Sequence, residues 1–439
     1  MSLWAQQNLD RELLAAAENG DYMEVTRLLC AGANVEAVDK MGRTALFSAC
    51  KEGYEACVMS LLDAGAACET ADRVGWTPLY VACMNGHDAC VRALLNAGAL
   101  PDTVVWLQKA APLHIACQRG HTACVRALLS AGANPDGSGC GVSCSPLVTA
   151  CRYGATACVR ALLAAGAKFE TADARMDSPL CAACEVNAHA CVRALLEAGA
   201  NVEARAQGDQ TPLVIACKRG SAACVRMLLE AGASPETRMY RGSLPLHNAA
   251  ESGEAECVRA LLDAGAKADV VDDRGDSPLY RASASDDVES VRLLLAAGAN
   301  VDVAAATGWT PLHGACREGN IDCVRALLAA GAKTEMVADD GSTPLHFAVE
   351  MGHTACICAL LEAGACTAVV RCDGRTPLHM ACLNDNEPEV RETTDEDAAM
   401  EEFDPFYNVE YPPPCTKDHE ACVRLLLDAG ADTNVADMK

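Results

Sequence analysis

Aromatic residues are scarce in this 439-residue sequence: Phe, Tyr and Trp together make up 4% of it, although 51% of the residues are hydrophobic. That excludes a core built on large rings. Much of the apolar content is Ala, which suits many thin layers of small side chains. Cations are short as well, with 35 Lys and Arg against 60 Asp and Glu, giving a net charge of −25. Self-repulsion of this size argues against general nucleic-acid binding, which needs Lys and Arg to displace counterions from phosphates. Long apolar runs are missing too. Arg, Gly or an acid interrupts each one before the roughly 20 residues that a membrane span requires. The N-terminal MSLWAQQNLDRELLAAAENG lacks a basic stretch followed by an apolar core, so it does not read as a signal peptide. A soluble intracellular protein is expected, placed in the cytoplasm with the nucleus left open.

Two familiar chemistries lack their parts. Cys181 and Cys184 are spaced as C-x-x-C, but no second pair stands at zinc-ligand spacing. The Gly-rich stretch DGSGCGVSC, holding Cys140 and Cys144, has no Gly-Lys-Ser/Thr and is not a nucleotide loop. Neither a metal nor another cofactor is expected, and no catalysis.

What the sequence has in abundance is repetition. The phrase TPLH at Thr310 recurs with substitutions at Thr44, Thr77, Ala111, Ser145, Ser178, Thr211, Leu244, Ser277, Thr343 and Thr376, in steps of 33 or 34 residues. A fixed period of this length signals stacked repeats. With a degenerate first unit inside residues 1–43, there are twelve. Each unit is locally self-consistent. Thr or Ser caps a helix, and Pro occupies its first turn, where a missing N–H costs nothing. A second helix follows and ends at a Gly such as Gly331, suited to a left-handed cap. About ten small or polar residues then lead to the next cap. One unit cannot bury its apolar faces alone, so stacking has to supply the core.

The TPLH-x-A phrase, the Gly-His pairs at Gly86-His87, Gly120-His121 and Gly352-His353, and the LLxAGA endings resemble the ankyrin repeat family over nearly the whole chain. The resemblance implies an all-α fold, a single solenoid over 1–439. In it, helix-turn-helix units stack, β-turn or hairpin loops project along one edge, and a concave face binds partners.

The repeat register also assigns most of the reactive side chains. Of 27 Cys, 18 fall at two repeat positions: Cys50, Cys83, Cys117, Cys151, Cys184, Cys217, Cys316 and Cys382 end first helices, and ten more open second helices. Free Cys behaves there as a small buried hydrophobe. So many thiols in one chain also argue for a reducing compartment. His114, His247, His313, His346 and His379 fill the fourth place of TPLH, and the resemblance gives them a loop-tying role. An Arg row, running from Arg92 to Arg424 on the second helices, is expected to be solvated on the convex side.

Recognition must then use what varies between units. The resemblance points to the turn tips and to the two residues after the Ala-Cys pair of the first helix. The candidates for partner contact are Trp76, Trp106, Arg119, Arg152, Tyr153, Lys218, Arg219, Arg238, Tyr240, Arg241 and Trp309; Arg175 also lies at a tip. They form a basic and aromatic stretch in an acidic chain, of the residue types that dominate binding hot spots. Partners with acidic segments are expected.

One insertion interrupts the last unit. Residues 384–418 are rich in acid, then in Phe, Tyr and Pro. They bury too little to fold alone and are expected to be a solvated, disordered loop or a short docking motif. The function expected is a non-catalytic protein-interaction scaffold or adaptor. The alternative is a substrate-recruiting subunit or a fragment of a larger enzyme-linked protein, for example a ubiquitin ligase. The final helix, HEACVRLLLDAGA, has an internal and not a polar capping pattern, which keeps that alternative open.

Overall fold

The structure, a computed structural model, describes residues 3–105, 110–137, 145–169, 178–382 and 419–433. Trp106, Cys140, Cys144, Arg175 and the acidic insertion 384–418 lie outside the described residues.

The chain divides into two compact units, Met1–Ala233 and Ser234–Lys439. The first opens with the pair Leu3–Asn19 and Tyr22–Cys30. It continues with Ala45–Glu52 and Glu55–Asp63, Pro78–Asn85 and Asp88–Asn96, Pro112–Arg119 and Thr122–Ser130, Pro146–Arg152 and Thr156–Ala164, Pro179–Glu185 and His189–Glu197, and Pro212–Lys218 and Ala222–Glu230. The second unit contains Pro245–Glu251 and Ala255–Asp263, Pro278–Ala284 and Val288–Ala296, Pro311–Glu318 and Ile321–Ala329, Pro344–Glu350 and Thr354–Glu362, and Pro377–Cys382 with His419–Asp428. No strand occurs among the described residues; the only β pairing is two isolated bridges, Val38 with Thr44 and Val105 with Ala110. The all-α expectation holds, and the degenerate first repeat is distinguished by its 17-residue first helix.

Local chemistry places the helices as the sequence dictates. The hydroxyls of Thr44, Thr77, Ser145, Ser178, Thr211 and Ser277 each accept the backbone N–H three residues on, satisfying a donor that the helix start would orphan. Gly331 ends its helix at φ +89°, with open space where a Cβ would stand, so its requirement is purely conformational. The core is thin and aliphatic. Leu79, Leu113, Leu147 and Leu180 from first helices and Val91, Leu94, Val125 and Leu128 from second helices are at most 1% exposed. Each buried Val or Leu contributes about 1.5–3 kcal/mol.

Polar ties fix one repeat on the next. A carboxylate at one hairpin position accepts the backbone N–H at the end of the following repeat. Glu36 takes Ala67 at 2.8 Å, Glu69 takes Leu100 at 2.9 Å, and Asp136 takes Lys168 at 2.7 Å in the first unit. Glu236 takes Lys267 at 2.9 Å, Asp302 takes Lys333 at 2.9 Å, and Glu335 takes Cys366 at 2.8 Å in the second. Part of the chain's acidity is therefore structural, because an ionised acceptor makes a stronger bond than a neutral one. Histidines tie repeats as well. His87, His121 and His353 place Nε2 within 3.0–3.2 Å of the carbonyls of Lys51, Met84 and Arg317 in the preceding repeat. In the second unit, hairpin backbones bond directly: Asp273 N–H to Arg241 O, Ala306 to Arg274, Asp339 to Thr307 and Cys372 to Asp340, at 2.7–3.1 Å.

Of the 18 repeat-position cysteines, 17 are buried and Cys382 is exposed, which corrects the expectation at that residue. The reason is positional. Cys50, Cys83, Cys151 and Cys316 each sit beside the second-helix Cys of the following repeat, and burial raises their thiols well above the ordinary range. No following repeat covers Cys382 among the described residues. Two pairs behave differently. The Cys117 thiol bonds Cys158 and draws it down to about 7, and Cys184 draws Cys224 down to about 6. Both acidified thiols are closed to solvent all the same. Native-state labelling with iodoacetamide is therefore expected to modify Cys30, Cys366, Cys372 and Cys382 first. Cys158 and Cys224 should lag behind them by at least about a hundredfold, since a buried thiol reacts only through opening of the fold. Labelling of Cys224 as fast as Cys366 would show that acidity, and not access, governs these thiols.

Candidate protein-binding surface

The candidate residues separate into two sets, one per unit. In the first unit, Trp76 packs against Tyr80 with ring centroids 6.0 Å apart. Burial raises the Tyr80 phenol, and the charge of Arg119 from the next repeat opposes that rise. Gln118 Nε2 donates to the Tyr153 hydroxyl at 3.0 Å, and Tyr153 itself is 57% exposed. Arg219 is held by Glu185 at 2.8 Å, an exposed pair that a ligand can exchange at little cost. Lys218 is exposed and Arg152 half-buried.

In the second unit, Tyr240 is 69% exposed, with the Arg241 guanidinium 5.4 Å from its ring centroid. Arg241 holds φ +61°, a left-handed conformation uncommon for Arg, and its carbonyl starts the hairpin ladder. Arg238 Nη1 donates to Gly242 O at 3.4 Å. Trp309 is the centre of a second cluster. Its ring lies 4.7 Å from that of Phe347, and the Arg317 guanidinium stands 5.2 Å from the indole. The Tyr280 ring packs over Gly314, where a Cβ would come within 3.1 Å of it.

Two further arginines of the second unit are already committed to carboxylates. Arg281 bridges Glu251 at 2.6 Å and Asp272 at 2.7 Å, with Asp276 at 3.8 Å. Burial would lower its pKa, but the carboxylates outweigh burial and raise it. Arg371 is held by Asp340 at 3.0 Å, with Glu350 and Asp373 at 3.9 Å.

Tyr80, Tyr280, Arg281, Phe347 and Arg317 are absent from the set of contact residues named from sequence. A signal was present for all five: Arg317 directly follows the Ala315-Cys316 pair of its first helix, one of the variable positions. Tyr80 and Tyr280 take the fourth place of TPLH, where five units have His, and Arg281 and Phe347 take the next place, which elsewhere holds Ser, Val, Ile, Thr, Ala, Asn, Gly or Met.

Two of the TPLH histidines, His247 and His313, tie loops of neighbouring repeats as expected. His313 Nδ1 accepts the Thr310 N–H at 3.0 Å, and Nε2 donates to Ser342 O in the next repeat at 3.2 Å. His247 likewise reaches Asp276 O at 3.0 Å. Burial is the main cause that lowers the pKa of His247, His313 and His346 to about 4. The Arg row on the second helices is solvent-exposed. Its members pair with local acids: Arg92 with Asp88, Arg160 with Glu197 at 3.6 Å, and Arg259 with Glu256 and Glu289 at 3.3 Å.

Among the described residues, no group of three or more His, Cys, Asp or Glu is arranged to hold a metal ion. No described helix is long and apolar enough to cross a membrane.

With these geometries in place, comparison with known families gives one result. The family described as ankyrin repeats (3 copies) matches residues 13–105, 103–173, 168–239, 235–305, 300–370 and 331–393. The chain belongs to the ankyrin repeat family. No curated protein gives a significant match. Ankyrin repeats are generally modules for protein–protein interaction, so the coarse activity of this ankyrin repeat chain is binding to other proteins. Many of its repeated side chains hold one repeat to the next, and within each unit the variable ones stand on a ledge of first-helix ends and hairpin bases.

Proposed function

We propose that this ankyrin repeat chain is a non-catalytic adaptor of the cytoplasm. It binds partner proteins through the variable ledge, and the partners present acidic segments there. The observation that carries this reading is a division of labour among polar groups. His247, His313 and the acids at the hairpin are consumed by inter-repeat bonds. Exposed Tyr240 and half-buried Trp309, by contrast, present aromatic surface to solvent at positions that differ from repeat to repeat. Cationic and aromatic residues in a chain of net charge −25 favour acidic partners over nucleic acid.

The test is affinity capture on the full chain. Reversing charge at Arg152, Lys218, Arg219 and Arg241 should weaken a captured partner by at least about tenfold, the scale of a hot-spot loss. Alanine at Arg160, Arg193 and Arg259 should leave it unchanged. Equal effects from the two sets would place binding elsewhere.

A further inference from the structure

The ledge around Trp309 offers more than exposed area. Three donors belong to it, and among the described residues only Arg317 approaches a protein acceptor. Trp309 carries an indole N–H and Tyr280 a hydroxyl, and neither makes a hydrogen bond. Arg317 has only a 3.7 Å approach of its Nε to the exposed Glu318. Arg281 and Arg371, the neighbouring cations, are locked by carboxylates of the chain itself. Arg317, whose only ionic partner among the described residues is this exposed chain neighbour at 3.7 Å, can exchange that partner at little cost for an outside anion, and it stands over an aromatic ring. The rings of Trp309 and Phe347, 4.7 Å apart and both half-buried, add an apolar shelf beside it.

We propose that this ledge docks an extended segment of a partner protein in which an aspartate or glutamate stands beside an apolar side chain. The carboxylate meets Arg317, with the Tyr280 hydroxyl and the Trp309 N–H as further donors, and the apolar side chain lies on the Trp309 and Phe347 rings. This rests on the protein-binding reading given above and narrows it to a site and a chemistry.

Three arguments fix the occupant. A single loosely paired Arg suits a carboxylate, which it can hold through two parallel N–H bonds, and a phosphate would call for additional charge. Tyr280, Trp309 and Phe347 come from three consecutive repeats, and packed helices lie about 8–10 Å apart. The occupant must therefore run roughly 20 Å along the row, which an extended segment of about six residues spans. Trp, Tyr and Arg are also the side chains whose removal costs most at interfaces.

The experiment uses the full chain and a display library of random dodecapeptides. Selected sequences are resynthesised and their affinities measured by fluorescence anisotropy. Enrichment of Asp or Glu next to an apolar residue is expected. Arg317→Ala and Trp309→Ala should each weaken such peptides by about tenfold. Arg317→Glu should turn the selection toward Lys- or Arg-bearing peptides, and Arg126→Ala should change nothing. Thermal unfolding of each variant, matched to the parent chain, separates lost contacts from lost fold.

Three results would overturn the proposal: selection of peptides without acids, tighter binding of a phosphoserine version than of the aspartate version, or an unchanged selection with Arg317→Glu. If the selected peptides survive Arg317→Glu but are lost on charge reversal at Arg152 and Lys218, this site fails and the protein-binding reading stands. If no peptide binds the chain and affinity capture also returns no partner, both fall.

Discussion

Lowering the pH from 7 to 5 is expected to destabilise the second unit far more than charge repulsion alone would. His247, His313 and His346 are buried, and burial holds their pKa values at about 4, from an ordinary value of 6.5. Between those two values the unfolded chain binds protons that the folded chain refuses. Stability is therefore complete above about pH 6.5 and is lost as the pH falls toward 4. At pH 5 each histidine accounts for about 2 kcal/mol of that loss, or roughly 6 kcal/mol for the three. Domains are stable by about 5–15 kcal/mol, so the loss takes most of what the unit has. Neighbouring charges do not rescue the folded form. Asp272 and Asp340 favour the imidazolium, but Arg281 and Arg238 oppose it at His247, as Arg371 does at His346. Trp309 is the sole Trp between residues 234 and 439, so a variant with Phe at Trp4, Trp76 and Trp106 reports on this unit alone. Its urea midpoint should fall steeply between pH 6.5 and pH 5. A midpoint that stays level over that range would show that these imidazoles titrate normally.

Gly308→Ala is expected to cost about 3 kcal/mol, whereas Gly331→Ala should cost about 1 kcal/mol. Both glycines have left-handed backbones, at φ +77° and +89°, so the conformational penalty is shared. They differ in what surrounds them. A Cβ at Gly308 would come 2.9 Å from Ala338 Cα and 3.1 Å from Asp339 N, the backbone of the next hairpin, while at Gly331 nothing lies within 4 Å. Backbone atoms cannot swing aside as a flexible side chain can. The clash also presses on the bond from Asp339 N–H to Thr307 O, at 3.0 Å, so the damage should spread along the hairpin row. Chemical denaturation of the two variants measures the difference. Equal losses would mean that the hairpin stacking carries no stability of its own.

These contrasts show where the sequence is informative. The caps at Thr44 and Thr77, the buried Val and Leu layers and the tie made by His313 depend on residues close in the chain or on a repeated register, and all are legible from the 33-residue period. The bond from Asp302 to Lys333 N–H is not, because the two residues meet only once the stack has formed. The same holds for the charge balance of the ledge. Arg219 and Arg281 look equally basic in the sequence. One forms an exposed pair with Glu185, however, and the other is enclosed by Glu251 and Asp272. Trp309 is legible as a tip residue and Arg317 as a variable residue of the same repeat, but the packing of Trp309 on Phe347 emerges only when the next repeat is stacked. Cys382 shows the converse: its repeat position predicts burial, and the lack of a covering repeat among the described residues leaves it exposed.

The most direct test of the central claim is hydrogen–deuterium exchange on the full chain, with and without a captured partner. Binding through the variable ledge predicts protection in peptides covering Arg152–Tyr153, Lys218–Arg219, Tyr240–Arg241 and Trp309–Arg317. The second-helix segments carrying Arg160, Arg193 and Arg259 should exchange at unchanged rates. Protection confined to those second-helix segments, with the ledge unaffected, would contradict the account.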